Sequence, residues 1–250
     1  MAKGCGIGCG VLFAGILATA ALTAQQPPPA PGGESIAPAH PKHGQLSPPV
    51  HAPHPELPPA DALAWLRLAN DKTVQARAAG RIAAAAPRPG GAGRYVVAVL
   101  ACAELAADLP AQLGLPPADV LVLAAPGAFV SAEAIAELER AQRDDRLSLC
   151  IVLTHDGCRT LVGGGATTPA QLAVERRVQP ARELAARRSL PVDKAQAMLQ
   201  QQAILSASTQ LTKAVTADKF RIVTARLEPR SGAITWHTTR AEELPIPVVR

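Results

Sequence analysis

Three apolar runs set the architecture of this chain. Tyr95-Val-Val-Ala-Val-Leu100, Val120-Leu-Val-Leu123 and Leu147-Ser-Leu-Cys-Ile-Val-Leu153 are nearly continuous and rich in β-branched residues. Such runs mark strands buried on both faces, which is the condition of a parallel sheet covered by helices. The text between and after them reads as helix. Pro58-Pro59-Ala60-Asp61 opens a helical stretch with Leu63, Leu66, Val74 and Ile82 on its apolar side. Ser131 can cap a helix over Ala132–Arg143 that turns Ile135 and Leu138 inward. Residues 167–189 are rich in Ala, Arg and Glu, and Ser189 and Pro191 suit the start of one long helix carrying Ile204, Leu211 and Val215. Phe220–Leu227, Glu228-Pro-Arg-Ser-Gly232 and Ala233–His237 read as a closing hairpin. The expected fold class is α/β, a mainly parallel central sheet flanked by helices, with a C-terminal hairpin.

The first quarter of the chain has a different character. Residues 4–33 carry no charge, Lys3 precedes them, and Val11–Ala24 is an apolar run of 14 residues. That is short for a membrane span and fits the apolar region of an export signal, with Ala18-Thr19-Ala20 and Leu22-Thr23-Ala24 as cleavage candidates. Cys5 and Cys9 lie before the run, which argues against a lipoprotein signal. An uncleaved anchor is the alternative, and only then would the membrane be a partner. Of the 24 prolines, 12 fall between Pro27 and Pro59, so residues 25–57 cannot build a ladder or a helix and read as an extended linker. Its histidines, His40, His43, His51 and His54, are expected to be solvated rather than metal-scavenging. The expected organisation is a signal peptide over 1–24, a Pro/His-rich linker over 25–57 and one domain over 58–250, in a periplasmic or secreted protein.

Composition narrows the function. Aromatic residues are 2% of the chain and the net charge is +5, so neither a stacking platform nor a basic patch for nucleic acid is expected. Gly163-Gly164-Gly165 lacks the Lys-Ser/Thr that a phosphate loop requires. The chemistry-bearing residues sit at strand ends instead. Cys102 follows the first buried run, and His155 and Cys158 follow the third within His-Asp-Gly-Cys. Sites in parallel α/β sheets form beyond the carboxyl ends of the strands. One histidine and two thiolates suit Zn²⁺, and three protein ligands leave a fourth position open. A Cys102–Cys158 disulfide, or buried thiols without a metal, fits the spacing as well. Cys150 alternates within its strand and is expected to be a core thiol.

These residues stand in a pattern that resembles the β-class carbonic anhydrases. In that family the first strand ends in C-x-D-x-R and a later one in G-H-x-x-C-G. The corresponding text here is Cys102-Ala-Glu104-Leu-Ala106 and Thr154-His155-Asp-Gly-Cys158-Arg159, with His155 standing 53 positions after Cys102. Leu66–Asn70, Asp119–Gly127 and Thr224–Gly232 resemble further family segments, so the likeness spans roughly residues 58–240. The resemblance implies one Zn²⁺ per chain held by Cys102, His155 and Cys158. It also implies reversible hydration of CO₂ to bicarbonate by hydroxide on the zinc, and a homodimer or higher homo-oligomer. Two thiolates cancel the metal's charge, so activity is expected to favour alkaline pH.

The departures are specific. Glu104 replaces the family's Asp, Ala106 its partner Arg, Ala124 and Ala125 an Arg-Asn pair, and Arg159 a Gly. Glu104 is then the candidate catalytic residue, as water orienter or proton acceptor. It lacks its usual cationic partner, and its extra methylene could carry the carboxylate onto the metal. Arg159 could supply a guanidinium from another direction, although a solvent-facing arginine is the commoner outcome. Asp156 reads as a turn residue rather than a base. Three functions stay open: a carbonic anhydrase, or a close relative acting on a small linear substrate such as COS or CS₂; a zinc-binding pseudoenzyme of the same fold; and a disulfide-stabilised protein without metal.

Overall fold

The structure is a computed structural model and describes residues 56–237 apart from Ala166. The signal and nearly all of the linker expected from the sequence lie outside the described residues. Five strands form one sheet: β1 (Val97–Cys102), β2 (Val120–Ala125), β3 (Leu149–His155), β4 (Arg221–Leu227) and β5 (Ile234–His237), in the order β2-β1-β3-β4-β5. The first four are parallel and β5 closes antiparallel on β4. The expected mainly parallel sheet and closing hairpin are both present.

Both faces of the sheet are covered, as the apolar runs require. Val97, Val99, Ala101, Leu149, Ile151 and Leu153 pack against α1 (Pro59–Ala78) and α2 (Leu109–Leu113). Ala98, Leu100, Cys150 and Val152 pack on the other face against α3 (Ala132–Asp144), α6 (Val192–Ala207) and α7 (Thr209–Thr216). Alternate residues of one strand thus feed two separate cores, the two-residue period of a strand made visible. Every residue of β1 and β3 is buried. Cys150 is a core thiol, its pKa pushed up to about 12 by burial. Between β3 and α6 lie α4 (Arg159–Val162) and α5 (Pro169–Arg188), the latter started by a Thr168/Gln171 capping box. Helix α5 turns Val178, Ala181 and Ala185 inward and leaves Arg176, Arg187 and Arg188 exposed.

Three expectations need correcting. The long C-terminal helix is two, α6 and α7, broken at Ser208, whose side chain accepts from the Leu211 amide as an N-cap and donates to Glu139 Oε1 at 2.5 Å. A serine that finds two buried partners outside the helix ends it. Strand β2 is half-buried rather than covered on both faces, because it is the sheet's edge. Ile82 lies beyond the end of α1 and is fully exposed. Among the described residues, no helix is long and apolar enough to cross a membrane.

Candidate metal centre

The sheet's register decides the site. Strand β1 pairs with β3 so that Ala101 faces Leu153, which brings the carboxyl ends of the two strands side by side. Cys102 is the last residue of β1 and His155 the last of β3. The chain then turns through Asp156 and Gly157 to present Cys158 in front of α4. Gly157 has φ 72°, a left-handed conformation that suits glycine at this tight reversal. The reversal is tied down on its far side. The Asp156 amide donates to Leu227 O at 3.0 Å, and its carboxylate stands 3.4 Å from Arg226, which also reaches Asp193 at 3.7 Å. Asp156 is therefore a turn residue facing away from the ligand cluster, as its position in the sequence implied.

Cys102, Glu104, His155 and Cys158 offer donor atoms that all lie within 4.8 Å of one another. Three of these side chains are buried: Cys102 is 1%, Cys158 3% and His155 5% exposed. Three observations fit a zinc ion. The Cys102 and Cys158 sulfurs are 3.7 Å apart, and two thiolates at about 2.3 Å from a tetrahedral Zn²⁺ stand about 3.8 Å apart. Both cysteines are free thiols, so the alternative of a Cys102–Cys158 disulfide is not what the fold holds. His155 presents a buried Nε2 with no hydrogen-bond partner, while its Nδ1 lies 2.9 Å from Asp156 O. A histidine whose second nitrogen is fixed by a carbonyl is the usual arrangement of a metal ligand.

The electrostatics of the cluster are those of thiolates awaiting a cation. The Cys158 thiol donates to the Cys102 sulfur, which holds the Cys102 pKa down to about 4 against the opposing effect of burial. His155 and the backbone amides of Glu104 and Gly127 add to that stabilisation. The same hydrogen bond, then burial, pushes the Cys158 thiol up. The neighbouring Cys102 raises the pKa of His155. One proton thus stays on Cys158, facing a Cys102 thiolate, in the metal-free pair.

Glu104 stands at the mouth of the cluster. Its Oε2 is 3.8 Å from His155 Nε2, and its Oε1 is 3.5 Å from Arg159 Nε. The expectation that Glu104 has no cationic partner is therefore corrected: Arg159, directly after Cys158, stands within ion-pair distance of it from the adjoining strand end. The Arg159 side chain is nonetheless 87% exposed, so the contact is a solvated one. A cavity of about 660 Å³ opens beyond this pair, lined by Glu104, Arg159, Thr160, Val162, Gln171 and Val174 among others. Behind Cys102 and Cys158 pack Phe129, Leu161 and Val178, and the Arg177 guanidinium lies 4.1 Å over the Phe129 ring. The role of Phe129 carries no sequence signal, since it lies in an irregular turn far from the cysteine motif.

Neither a protein-family model nor a curated protein matches the chain. Solved structures do. The β-carbonic anhydrase CafA of the fungal pathogen Aspergillus fumigatus superposes with a TM-score of 0.51 at 18% identity, covering 60% of this chain and 79% of that one. The chain has the β-carbonic anhydrase fold. The β-carbonic anhydrase CcaA is similar at a TM-score of 0.50 and 14% identity, covering 58% of this chain and 81% of its own. At these identities the likeness is one of fold, and the reading of the site rests on its own side chains.

Proposed function

We propose that the protein is an exported zinc-dependent hydratase of the carbonic anhydrase type, interconverting CO₂ and bicarbonate. Cys102, His155 and Cys158 would hold the metal. The observation that carries the reading is the two-sulfur, one-nitrogen cluster at the adjoining ends of β1 and β3, with sulfurs at tetrahedral spacing and the Nε2 of His155 buried and unpartnered. When bound, zinc supplies a Lewis acid that brings the pKa of a coordinated water toward neutrality.

The remaining work falls to the chain's own groups. Addition of water to CO₂ yields bicarbonate and one proton. Glu104 Oε2, beside His155 Nε2, is the atom placed to take that proton, and its position at the cavity mouth lets solvent remove it. Arg159 flanks the carboxylate at Oε1 through a solvated contact. The buried residues Phe129, Leu161 and Val178 back the two cysteines and exclude bulk water, while Val162 and Val174 give the cavity its apolar lining for an uncharged linear substrate. With two thiolates in the set, hydration is expected to favour alkaline pH. The export signal and a homodimeric or higher assembly belong to the same proposal.

The test is stopped-flow CO₂ hydration per bound zinc, with Cys158→Ser as the metal-site control. A rate in the zinc-loaded protein no faster than that control refutes the enzyme. A second reading, a zinc protein of this fold without catalysis, is favoured by one observation: the Glu104 carboxylate lies inside the same 4.8 Å cluster as the other donors. As a fourth ligand it would close the site. Glu104→Ala separates the two. Unchanged zinc affinity with lost hydration supports the proton acceptor, whereas weakened affinity supports the closed site.

A further inference from the structure

The segment Pro126–Val130 lies against the ligand cluster, yet it carries no metal-ligating or titratable side chain. Gly127 and Ala128 both sit in the left-handed region, at φ 62° and 56°. A non-glycine residue persists there only where its surroundings hold it. Gly127 has no room for a side chain, since a Cβ would come within 2.8 Å of Thr160 Cγ2. Phe129 belongs to the buried cluster that also holds Cys102 and Cys158.

Two glutamines of α6 grip this turn. Gln196 Nε2 donates to Gly127 O at 3.0 Å, and Gln200 Oε1 accepts from the Val130 amide at 2.9 Å. They are four residues apart and so share one helix face. Gln196 is 0% exposed, and its Oε1 has no hydrogen-bond partner. Burying a half-satisfied amide is costly, and an apolar residue would avoid that cost. The hydrogen bond to Gly127 is what Gln196 contributes that an apolar residue could not.

We propose that Gln196 and Gln200 are positioning residues of the metal centre, clamping both ends of the 126–130 turn so that Gly127 stays against Thr160 and Phe129 stays in the cluster that holds both cysteines. The inference rests on the zinc reading above. Residues that hold the shell around metal ligands typically change metal affinity about 10- to 100-fold when removed.

The experiment measures Zn²⁺ affinity of the full chain by chelator competition, and the cobalt–thiolate charge-transfer band after Co²⁺ loading. Gln196→Met is expected to weaken Zn²⁺ binding about 10- to 100-fold and to shift the band. Gln201→Met is the control for simple packing. Gln201 lies on the same helix, nearly as buried, but donates to Ile222 O; it is expected to lower the melting temperature while leaving affinity and band unchanged. Equal effects of the two substitutions, or no effect of Gln196→Met, overturn the proposal. If Gln196→Met does not fold, Gln200→Met removes the acceptor at the other end of the turn. Retained affinity and an unshifted band in that variant overturn it too. A wild-type protein that takes up neither Zn²⁺ nor Co²⁺ refutes the zinc reading itself, and this inference falls with it.

Discussion

Adding zinc to the metal-free protein should raise its melting temperature by an amount the site's geometry sets. The sulfurs already stand 3.7 Å apart, so binding requires no rearrangement of β1 against β3. A ligand that binds only the folded state stabilises it by about 4 kcal/mol at a free concentration 1,000 times its Kd. For a domain of this size, that is a rise of roughly 8–16 °C. In Cys158→Ser, a loss of about 100-fold in affinity leaves about 1.4 kcal/mol at the same zinc concentration, or roughly 3–6 °C. Uptake must also displace the Cys158 proton, whose pKa is raised by its hydrogen bond to the Cys102 thiolate and by burial. Affinity should therefore weaken as pH falls, by about tenfold per unit for one displaced proton. The assay is thermal unfolding with and without zinc at several pH values. An equal shift in wild type and Cys158→Ser, or a shift independent of pH, refutes the two-thiolate site.

Other outcomes follow from the same structure. Ser208→Ala removes the cap of α7 and the hydrogen bond to Glu139, and should cost about 2–3 kcal/mol in denaturant unfolding. Leu138→Ala empties a fully buried position on the α3 side of the sheet, and should cost about 2–5 kcal/mol by the same measurement. In the metal-free protein the ultraviolet absorbance of the Cys102 thiolate should persist down to about pH 4, where its lowered pKa lies. Because that folded pKa is depressed, the stability it contributes is complete above the unfolded thiol pKa and is lost as pH falls through about 4. Cys158 acts in the opposite sense, since its raised pKa penalises the folded state at alkaline pH. Metal-free stability should thus climb with pH up to the ordinary histidine range, above which the raised pKa of His155 opposes the gain, and a profile flat from about pH 4 upward contradicts the paired thiols.

The layout of the fold was legible because β1 and β3 are buried on both faces and therefore apolar throughout. The edge position of β2 was not, since four apolar residues look the same at a margin as at a centre. Nor did the sequence reveal the break at Ser208, because a serine between two helical stretches declares itself a cap only once Glu139 and the Leu211 amide are in place. At the site, Cys102, His155 and Cys158 were readable from their places after the strand runs. The contact between Glu104 and Arg159 depends on how two strand ends approach, which spacing along the chain does not encode. Gln196 and Gln200 were invisible for another reason: polar residues in a glutamine-rich stretch look like a solvated face until the helix is seen buried against a turn.

The parallel pairing of β1 with β3 has a kinetic consequence. Cys102 and His155 come together only when the chain, having run through α2, β2 and α3, lays β3 beside β1. Such non-local pairing closes late compared with local helix formation. Of the three site ligands, only His155 and Cys158 are neighbours in an unfolded chain, a far weaker chelate than the assembled set. A metal-sensitive dye followed during refolding would therefore act as a clock for one step of folding, the moment β1 and β3 meet.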